Sequence, residues 1–167
     1  MSDETSAAII KAGRARATGH RESYLRSGGA QGHIMDLTMV GGYPFTAHCL
    51  IKTRGRKSAK TYITPLIYGS IGGEVVLVGS KGGADSHPAW YLNIISSEQI
   101  EFQVATQAFR AGWREPRGAE REKIWHFMID VFPPYARYQT STARQIPLIM
   151  LKAIETVDVF KESDVSV

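Results

Sequence analysis

Short segments of alternating apolar and polar residues, separated by tight turns, make up much of this chain. FTAHCLIKT and TYITPLIYG are rich in β-branched and aromatic residues, and the connection GRKSAK between them predicts a hairpin. After the turn IGG, the run EVVLVGS is compact and apolar, too short for a helix and typical of a buried strand. The first part of the fold is therefore predicted to be a set of consecutive strands.

A second group of strands is predicted further along the chain. In IEFQVATQ the residues alternate, so that Ile100, Phe102 and Val104 point to one face and Glu101 and Gln103 to the other. AFRAGWREP predicts a polar strand or loop. IPLIMLKAI predicts the strand that closes the fold.

Helical spacing is clearest in GAEREKIWHFMIDVF, where apolar residues recur at i, i+3, i+4, i+7 and i+8 as one core-facing stripe. The stripe consists of Ile124, Phe127, Met128, Val131 and Phe132. PAWYLNIISS predicts a short helix, because proline is tolerated in a first helical turn. Residues 6–26 predict a weakly amphipathic helix, and YARYQTSTARQ a loop or short helix.

Short strands joined by tight turns, with few helices, predict an α+β fold that is mainly β. It is a small β-barrel or barrel-like sheet with a few helices packed outside. A parallel Rossmann sheet would need helices between successive strands, and the first three predicted strands have none. We divide the chain into an N-terminal helical extension (1–31), a barrel domain (32–153) and a loosely held C-terminal tail (154–167).

The composition narrows the class of protein. No run in the sequence approaches the roughly 18 apolar residues of a membrane span, and the N-terminal residues lack the apolar stretch of a secretory signal. The single cysteine, Cys49, excludes an intrachain disulfide framework and suits a reducing cytoplasm. We expect Cys49 to be a buried small apolar residue.

Basic residues are concentrated in KTRGRKSAK (52–60), within a chain of formal net charge +4. An anion is the natural partner of such a segment, and a solvated hairpin is the alternative. A nucleic-acid site would interleave stacking aromatics, and this run has none, so we expect no nucleic acid. Basic residues near the N-terminus would suit peripheral contact with an anionic membrane, although a solvated helix face is the alternative. These residues are Lys11, Arg14, Arg16 and Arg21.

GSKGGADSHPAWY (79–91) is the second candidate for anion binding. Glycines let backbone amides approach an anion closely, and a helix beginning just after the turn adds a favourable dipole. The segment lacks the spacing of a Walker loop, as does GRKSAK. Together the two segments predict one anion-binding groove.

Tyr135 and Tyr138 lie i, i+3 apart in a polar segment, where they line a ligand pocket or cover the barrel surface. The five histidines show no metal-ligand spacing, and we expect no metal site. The sequence has no GxSxG motif and no convincing carboxylate pair. Anion and aromatic binding without a nucleophile is typical of a cofactor-dependent protein.

Three separated motifs carry a resemblance to a known family. TRGRKSAKTYITPLIY, EVVLVGSKGGADSHPAWYLNI and FPPYARYQTSTARQIPLI occur in the same order as in the deazaflavin-dependent nitroreductase family, over roughly residues 43–152. Members of that family are split β-barrel oxidoreductases that use the 8-hydroxy-5-deazaflavin coenzyme, F420. The resemblance implies hydride transfer from reduced F420 to a small electron-poor acceptor such as a quinone, a nitroaromatic or an enone.

The resemblance also implies roles for individual residues. The basic hairpin would hold the phosphate and acidic tail of F420, and the SKGGA turn its phosphate and ring edges. The implied cofactor-binding residues are Arg56, Lys57, Ser58, Lys60, Thr64, Pro65, Gly79, Ser80, Lys81, Gly82, Gly83, Ala84, Ala89 and Trp90. Tyr138, Tyr135 and Ser80 would orient the acceptor oxygen or donate a proton to it.

The chain departs from the family pattern at three positions. Ala59 stands where glycine is usual, Tyr62 where arginine is common, and Phe132 where nitroimidazole-reducing members have tyrosine. Lys60 is expected to replace the charge missing at Tyr62. Two alternatives stay open: a split-barrel enzyme that uses FMN, and a binding protein of the same fold without catalytic activity.

Overall fold

The structure, a computed structural model, describes residues 16–167, which contain seven strands. The strands are β1 (Ile34–Met35), β2 (Thr46–Arg54), β3 (Thr61–Ile71), β4 (Glu74–Val78), β5 (Gln99–Val104), β6 (Gln107–Arg114) and β7 (Leu148–Val157). The α-helices are α1 (16–26), α2 (Ala89–Ile94), α3 (Gly118–Val131) and α4 (Pro134–Thr140). Short 3₁₀ turns cover Thr38–Val40, Lys81–Gly83 and Glu162–Asp164. The predicted N-terminal helix is thus confirmed for its described part.

Six of the strands close into an antiparallel barrel. The order of strands in the sheet is β1-β2-β3-β4-β7-β6-β5, and β2 also pairs with β5, which closes the ring. The short strand β1 pairs with the first residues of β2, where Ile34 lies opposite Ala47. The predicted fold class is confirmed, and hairpin 55–60 joins β2 to β3 as the sequence indicated.

Alternation along the strands separates the inside of the barrel from its outer wall. Cys49, Ile51 and Phe102 belong to the interior core, together with Leu77 and Ile149. Cys49 is fully buried, as predicted. Residues of opposite parity face outward and need cover from helices or chain ends.

Two outer layers cover different parts of the wall. Helices α3 and α4 bury Met128 and Tyr135 against Val76 and Leu148, which lie on β4 and β7. A Cβ at Gly69 would lie 2.6 Å from the sulfur of Met128, so glycine lets α3 approach β3 closely. These contacts fix where the C-terminal part of α3 and the start of α4 lie.

The other outer layer is formed by α1 and the C-terminal residues, which cover β2, β3 and β6. Tyr24 and Phe160 pack there with Leu50. The Tyr24 hydroxyl donates to the carbonyl of His48 at 3.1 Å and accepts from the amide of Ala105 at 2.8 Å. A single side chain of α1 thereby ties the helix to β2 and to the turn between β5 and β6.

The expectation of a loosely held C-terminal tail is wrong. Strand β7 continues to Val157, Phe160 is only 1% exposed, and the amide of Ser166 bonds to the carbonyl of Thr61. Sequence composition missed this because one buried aromatic residue, Phe160, is enough to hold an otherwise polar segment. The exact division into residues 1–31, 32–153 and 154–167 stays a prediction.

Candidate active site

A cavity of about 570 Å³ lies on the outer wall of the barrel, between the two outer layers. Its volume falls within the range of about 300–1,000 Å³ typical of small-molecule sites. Several residues that the sequence singled out line it together: Pro65, Ser80, Lys81, Gly82, Trp90, Tyr135 and Tyr138. Motifs that are up to 73 residues apart in sequence (65 to 138) therefore meet around one space.

Strand β3 supplies one wall of the cavity. Pro65 and Ile67 have the outward parity of the strand and line the cavity between the helical layers. Thr64 pairs with Ile51, whose side chain lies in the barrel interior, so Thr64 shares the inward face. Thr64 therefore lies beside the cavity without its side chain forming part of the lining.

Residues 80–82 form another part of the lining, and the two glycines of this turn, Gly82 and Gly83, differ in role. Gly82 has φ of +63°, and a Cβ there would meet nothing within 4 Å, so the turn is open toward a ligand. Gly83 is buried, and a Cβ there would lie 2.7 Å from the carbonyl oxygen of Tyr138. Gly83 lets the turn pack against α4, and Gly82 leaves space in the cavity.

Hydrogen bonds within this turn reduce the number of backbone amides that can bind an anion. The amide of Gly83 bonds to the carbonyl of Ser80 at 2.9 Å, and the amide of Ala84 to that of Lys81 at 3.2 Å. The candidates for ligand binding are therefore the amides of Lys81 and Gly82, with the Lys81 ammonium, which bonds to the Ser86 hydroxyl at 2.8 Å. The donors still suit an anionic group.

Arg144, which the sequence analysis did not identify, holds this turn in shape. Its guanidinium donates to the carbonyls of Ser80 and Ala84, each at 2.7 Å, and to that of Gly79 at 3.1 Å. The same group contacts Nδ1 of His87 at 3.2 Å. Burial and the neighbouring Arg144 cation lower the pKa of His87, which favours the neutral ring.

The remaining residues of the predicted turn lie outside the cavity lining. Gly79 is buried, and a Cβ there would lie 2.7 Å from Cγ of Pro147. Ala84 and Ala89 are exposed, the latter as the first residue of α2. Their assignment as cofactor-binding residues stays a prediction.

The basic hairpin lies against α2 and does not line the cavity itself. The amide and the Nη1 of Arg56 donate to Oδ1 of the buried Asn93, at 3.2 and 3.4 Å. Asn93 is on the same short helix as Trp90, which does line the cavity. The hairpin and the cavity therefore share one helix as their common support, although sequence analysis did not identify Asn93.

Inside the hairpin, local contacts occupy some of the predicted groups. The hydroxyls of Ser58 and Tyr62 lie 3.1 Å apart, and the Lys60 ammonium donates to the carbonyl oxygen of Val167 at 3.0 Å. Lys57 is exposed. Ala59 has φ of +57°, the left-handed conformation that glycine adopts without strain. This conformation accounts for the glycine usual at that position.

Three aromatic rings border the cavity at the junction of α3 and α4. The ring of Phe132 lies edge-on to Tyr135 at 5.0 Å, and Tyr135 lies 6.4 Å from Tyr138, measured between ring centroids. Burial raises the pKa of Tyr135, and the neighbouring Tyr138 raises it further, so its phenol stays protonated. Phe132 lines the cavity with an apolar ring, whereas a tyrosine at this position would add a hydroxyl to the lining.

Two histidines, His20 and His48, also line the cavity, and the sequence analysis had considered them only as metal ligands. Among residues 16–167, no group of three or more histidine, cysteine or acidic side chains has an arrangement suited to a metal ion. None of the helices in this same range is long and apolar enough to span a bilayer.

The chain is similar to known proteins over most of its length. Residues 19–153 match the family model described as F420H(2)-dependent quinone reductase. The chain is 29% identical to an F420H(2)-dependent quinone reductase of Mycobacterium tuberculosis over 105 residues, which cover 61% of this chain and 70% of the relative.

Two solved structures are similar in fold and sequence. One is an F420-H2 dependent reductase, 36% identical with a TM-score of 0.58, covering 63% of this chain and 93% of that one. The other, described as a domain-swapped dimer, is 32% identical with a TM-score of 0.61, covering 81% and 96%. The matched family model spans most of the described barrel and α1, and the chain therefore belongs to the F420H(2)-dependent quinone reductase family.

Proposed function

We propose that this protein reduces a quinone by hydride transfer from reduced F420, with both molecules held in the cavity between the 80–82 turn and α4. Membership of the family makes the protein an F420-dependent oxidoreductase. The observation that supports the assignment to this cavity is the meeting of Pro65, Trp90 and the Lys81–Gly82 turn with Tyr135 and Tyr138 around one space.

The chemistry of the lining fits the coenzyme. Pro65 and Trp90 offer apolar surface to a flat ring, and the open position at Gly82 leaves room for a ligand beside the Lys81 ammonium. Lys57 and Arg56, on the hairpin that α2 supports, would hold the anionic tail. When bound, reduced F420 supplies a hydride with its electron pair.

The tyrosines would act on the acceptor. A quinone carbonyl accepts hydrogen bonds, and negative charge develops on its oxygen as it is reduced. The phenol of Tyr135 is protonated at neutral pH, and burial raises its pKa further, so it can donate a hydrogen bond to that oxygen. Tyr138 and the Ser80 hydroxyl border the same cavity and would orient the acceptor or supply a proton.

Phe132 favours a quinone over a nitroimidazole as acceptor. It is 4% exposed and lines the cavity beside Tyr135 without offering a hydrogen-bond donor. An apolar ring at this point suits the hydrocarbon part of a quinone.

We also propose peripheral contact with the cytoplasmic face of a membrane, from which a lipid-soluble quinone would reach the cavity. Arg16 of α1 borders the cavity. Met39 and Phe45 are 93% and 82% exposed, and they follow the lining residue Leu37 in the sequence. Lys11 and Arg14 lie outside the described residues. Cosedimentation with anionic and with zwitterionic vesicles tests this contact. Absence of binding to both kinds of vesicle would exclude it.

The central experiment is a titration of the purified protein with oxidised F420 and, separately, with FMN, followed by fluorescence. Tight binding of F420 and anaerobic oxidation of reduced F420 upon addition of a naphthoquinone are expected. Binding of FMN without F420 would favour the alternative of an FMN enzyme. Binding of F420 with no quinone-dependent oxidation would favour a binding protein.

A further inference from the structure

Two histidine rings form a polar patch in a part of the cavity that is otherwise largely apolar. His20 comes from α1 and His48 from β2, and their centroids lie 4.9 Å apart with the ring planes at 85°. Met35, Leu37 and Ile67 line the cavity with them. His48 pairs across the sheet with Ile67, two residues beyond Pro65 on β3.

Backbone carbonyls fix the tautomer of each ring. Nδ1 of His48 lies 3.0 Å from the carbonyl oxygen of Thr46, and Nε2 of His20 lies 2.6 Å from that of Gly32. A carbonyl only accepts hydrogen bonds, so each of these nitrogens carries the hydrogen. In the neutral rings, Nε2 of His48 and Nδ1 of His20 are consequently bare acceptors.

The charge state of His48 keeps it an acceptor. Its side chain is 7% exposed, and burial, with smaller contributions from His20 and His33, lowers its pKa to about 4 despite the contact with Thr46. At neutral pH the ring is therefore uncharged. Within the described chain, neither bare nitrogen has a hydrogen-bonding partner.

A quinone that carries only carbonyl and alkyl groups cannot use these nitrogens. Its oxygens are acceptors, like the bare nitrogens, whereas the hydroxyls of Tyr135 and Tyr138 in the same cavity can donate to them. A ligand group that binds the histidine pair has to bring its own O–H or N–H. Burying the bare nitrogen of His48 under an alkyl group would exclude water from it and leave it without a hydrogen-bond donor, at a cost.

We infer that His48, with His20 beside it, makes the enzyme select acceptors that carry a hydroxyl or N–H substituent in addition to the reducible carbonyls. This inference rests on the proposed function and specifies its substrate class. The tyrosines receive the oxygen that is reduced, and the histidines bind the substituent. The pair is a determinant of specificity and takes no part in the hydride transfer.

The test compares two acceptors of similar size, 2-(hydroxymethyl)-1,4-naphthoquinone and 2-ethyl-1,4-naphthoquinone. Reduced F420 and the full-length protein are used, and the measured quantity is the ratio of the two kcat/KM values. Because each ratio is taken within one variant, losses of overall activity cancel. One hydrogen bond is worth roughly a 5-fold preference, and we expect this preference for the hydroxymethyl compound to disappear in His48→Phe.

Further variants distinguish a specific change in the ratio from the effects of misfolding. His48→Gln keeps an acceptor oxygen and should retain part of the preference, and His20→Phe, at a half-buried position on α1, should reduce it. His33→Phe is the matched control, since His33 bonds to Tyr68 at 2.9 Å and lies outside the cavity lining. It should keep the wild-type ratio.

The outcomes separate the inference from the proposed function. If wild type and His48→Phe show the same ratio while both acceptors are reduced, the inference is overturned and quinone reduction stands. If neither acceptor oxidises reduced F420, the proposed function fails, and the inference fails with it.

Discussion

Nη2 of Arg144 donates a hydrogen bond to the carbonyl oxygen of Ser80 at 2.7 Å, across 64 residues of sequence. The same guanidinium reaches the carbonyls of Gly79 and Ala84, so one charged group holds both ends of the turn that contains Lys81 and Gly82. The flat, forked geometry of arginine makes this possible. The position of the turn beside the cavity depends on a residue that lies outside the cavity lining.

Arg144→Lys should weaken F420 binding. A lysine ammonium cannot reach three carbonyls in this geometry, and loss of even one charge-assisted hydrogen bond costs about 1.5 kcal/mol or more. We expect the dissociation constant for F420 to rise about 10-fold, measured by fluorescence titration. Arg117→Lys, at an exposed position before α3, should bind F420 as wild type does. Unchanged affinity in Arg144→Lys would show that the turn keeps its shape without the hydrogen bonds of the Arg144 guanidinium.

The strands and helices could be predicted from sequence because their signals are local. Alternation of Ile100, Phe102 and Val104 reflects the inside and outside of one strand, and the stripe from Ile124 to Met128 reflects one face of α3. Closure of the barrel by β2 and β5 is not local, and it followed only from the class of fold.

The cavity was predictable in part. The family resemblance predicted one site for Ser80, Trp90 and Tyr138, and all three residues line the same cavity. The roles of Arg144 and His48 could not be predicted from the sequence. Arg144 acts through contacts with distant backbone carbonyls and His48 through its burial, and neither leaves a pattern in neighbouring residues. Their roles required the folded arrangement.

Ala59→Gly should stabilise the protein. Ala59 adopts φ of +57° in the hairpin, where a Cβ costs about 1–2 kcal/mol, partly offset by the greater freedom of glycine in the unfolded chain. We expect a net gain of about 0.5–1 kcal/mol, measured by urea unfolding. Gly55→Ala in the same hairpin should destabilise, because its Cβ would lie 2.4 Å from the Ser58 hydroxyl. A loss of stability in Ala59→Gly would mean that the strain is already relieved.

Lys57→Ala should weaken F420 binding in a salt-dependent way. Lys57 is exposed, so its attraction to an anionic tail is screened by ions. We expect an increase in the dissociation constant of about 3-fold at low salt that shrinks at about 0.5 M salt. Lys152→Ala, an exposed lysine on β7, is the control and should leave affinity unchanged. Equal effects of both variants would indicate general attraction to the basic protein, with no specific role for the hairpin.

Tyr138→Phe should slow quinone reduction with a smaller effect on coenzyme binding. The change removes one phenol from the cavity and keeps the ring beside Phe132, 6.4 Å away. Loss of one donor to a developing oxyanion predicts a decrease in kcat of about 10-fold or more. Tyr43→Phe, at a tyrosine that is 49% exposed, should retain wild-type kcat. Unaltered kcat in Tyr138→Phe would assign the oxygen contact to Tyr135 or Ser80.

Acid should destabilise the free protein through His48. Burial lowers its pKa to about 4 from an unfolded value near 6.5, so the unfolded chain binds the proton more readily. The stabilising contribution of neutral His48 is complete above about pH 6.5 and is lost as the pH falls toward 4. The loss amounts to about 3 kcal/mol, which urea unfolding at a series of pH values would measure.

His48→Gln should flatten this acid dependence, because glutamine does not titrate. Part of the loss should remain, since burial also lowers the pKa of His33. His126→Gln, at an exposed position on α3, should follow the wild-type curve. If His48→Gln loses stability between pH 6.5 and 4 as steeply as wild type, folding does not lower the pKa of His48, and the argument that burial keeps its ring neutral fails.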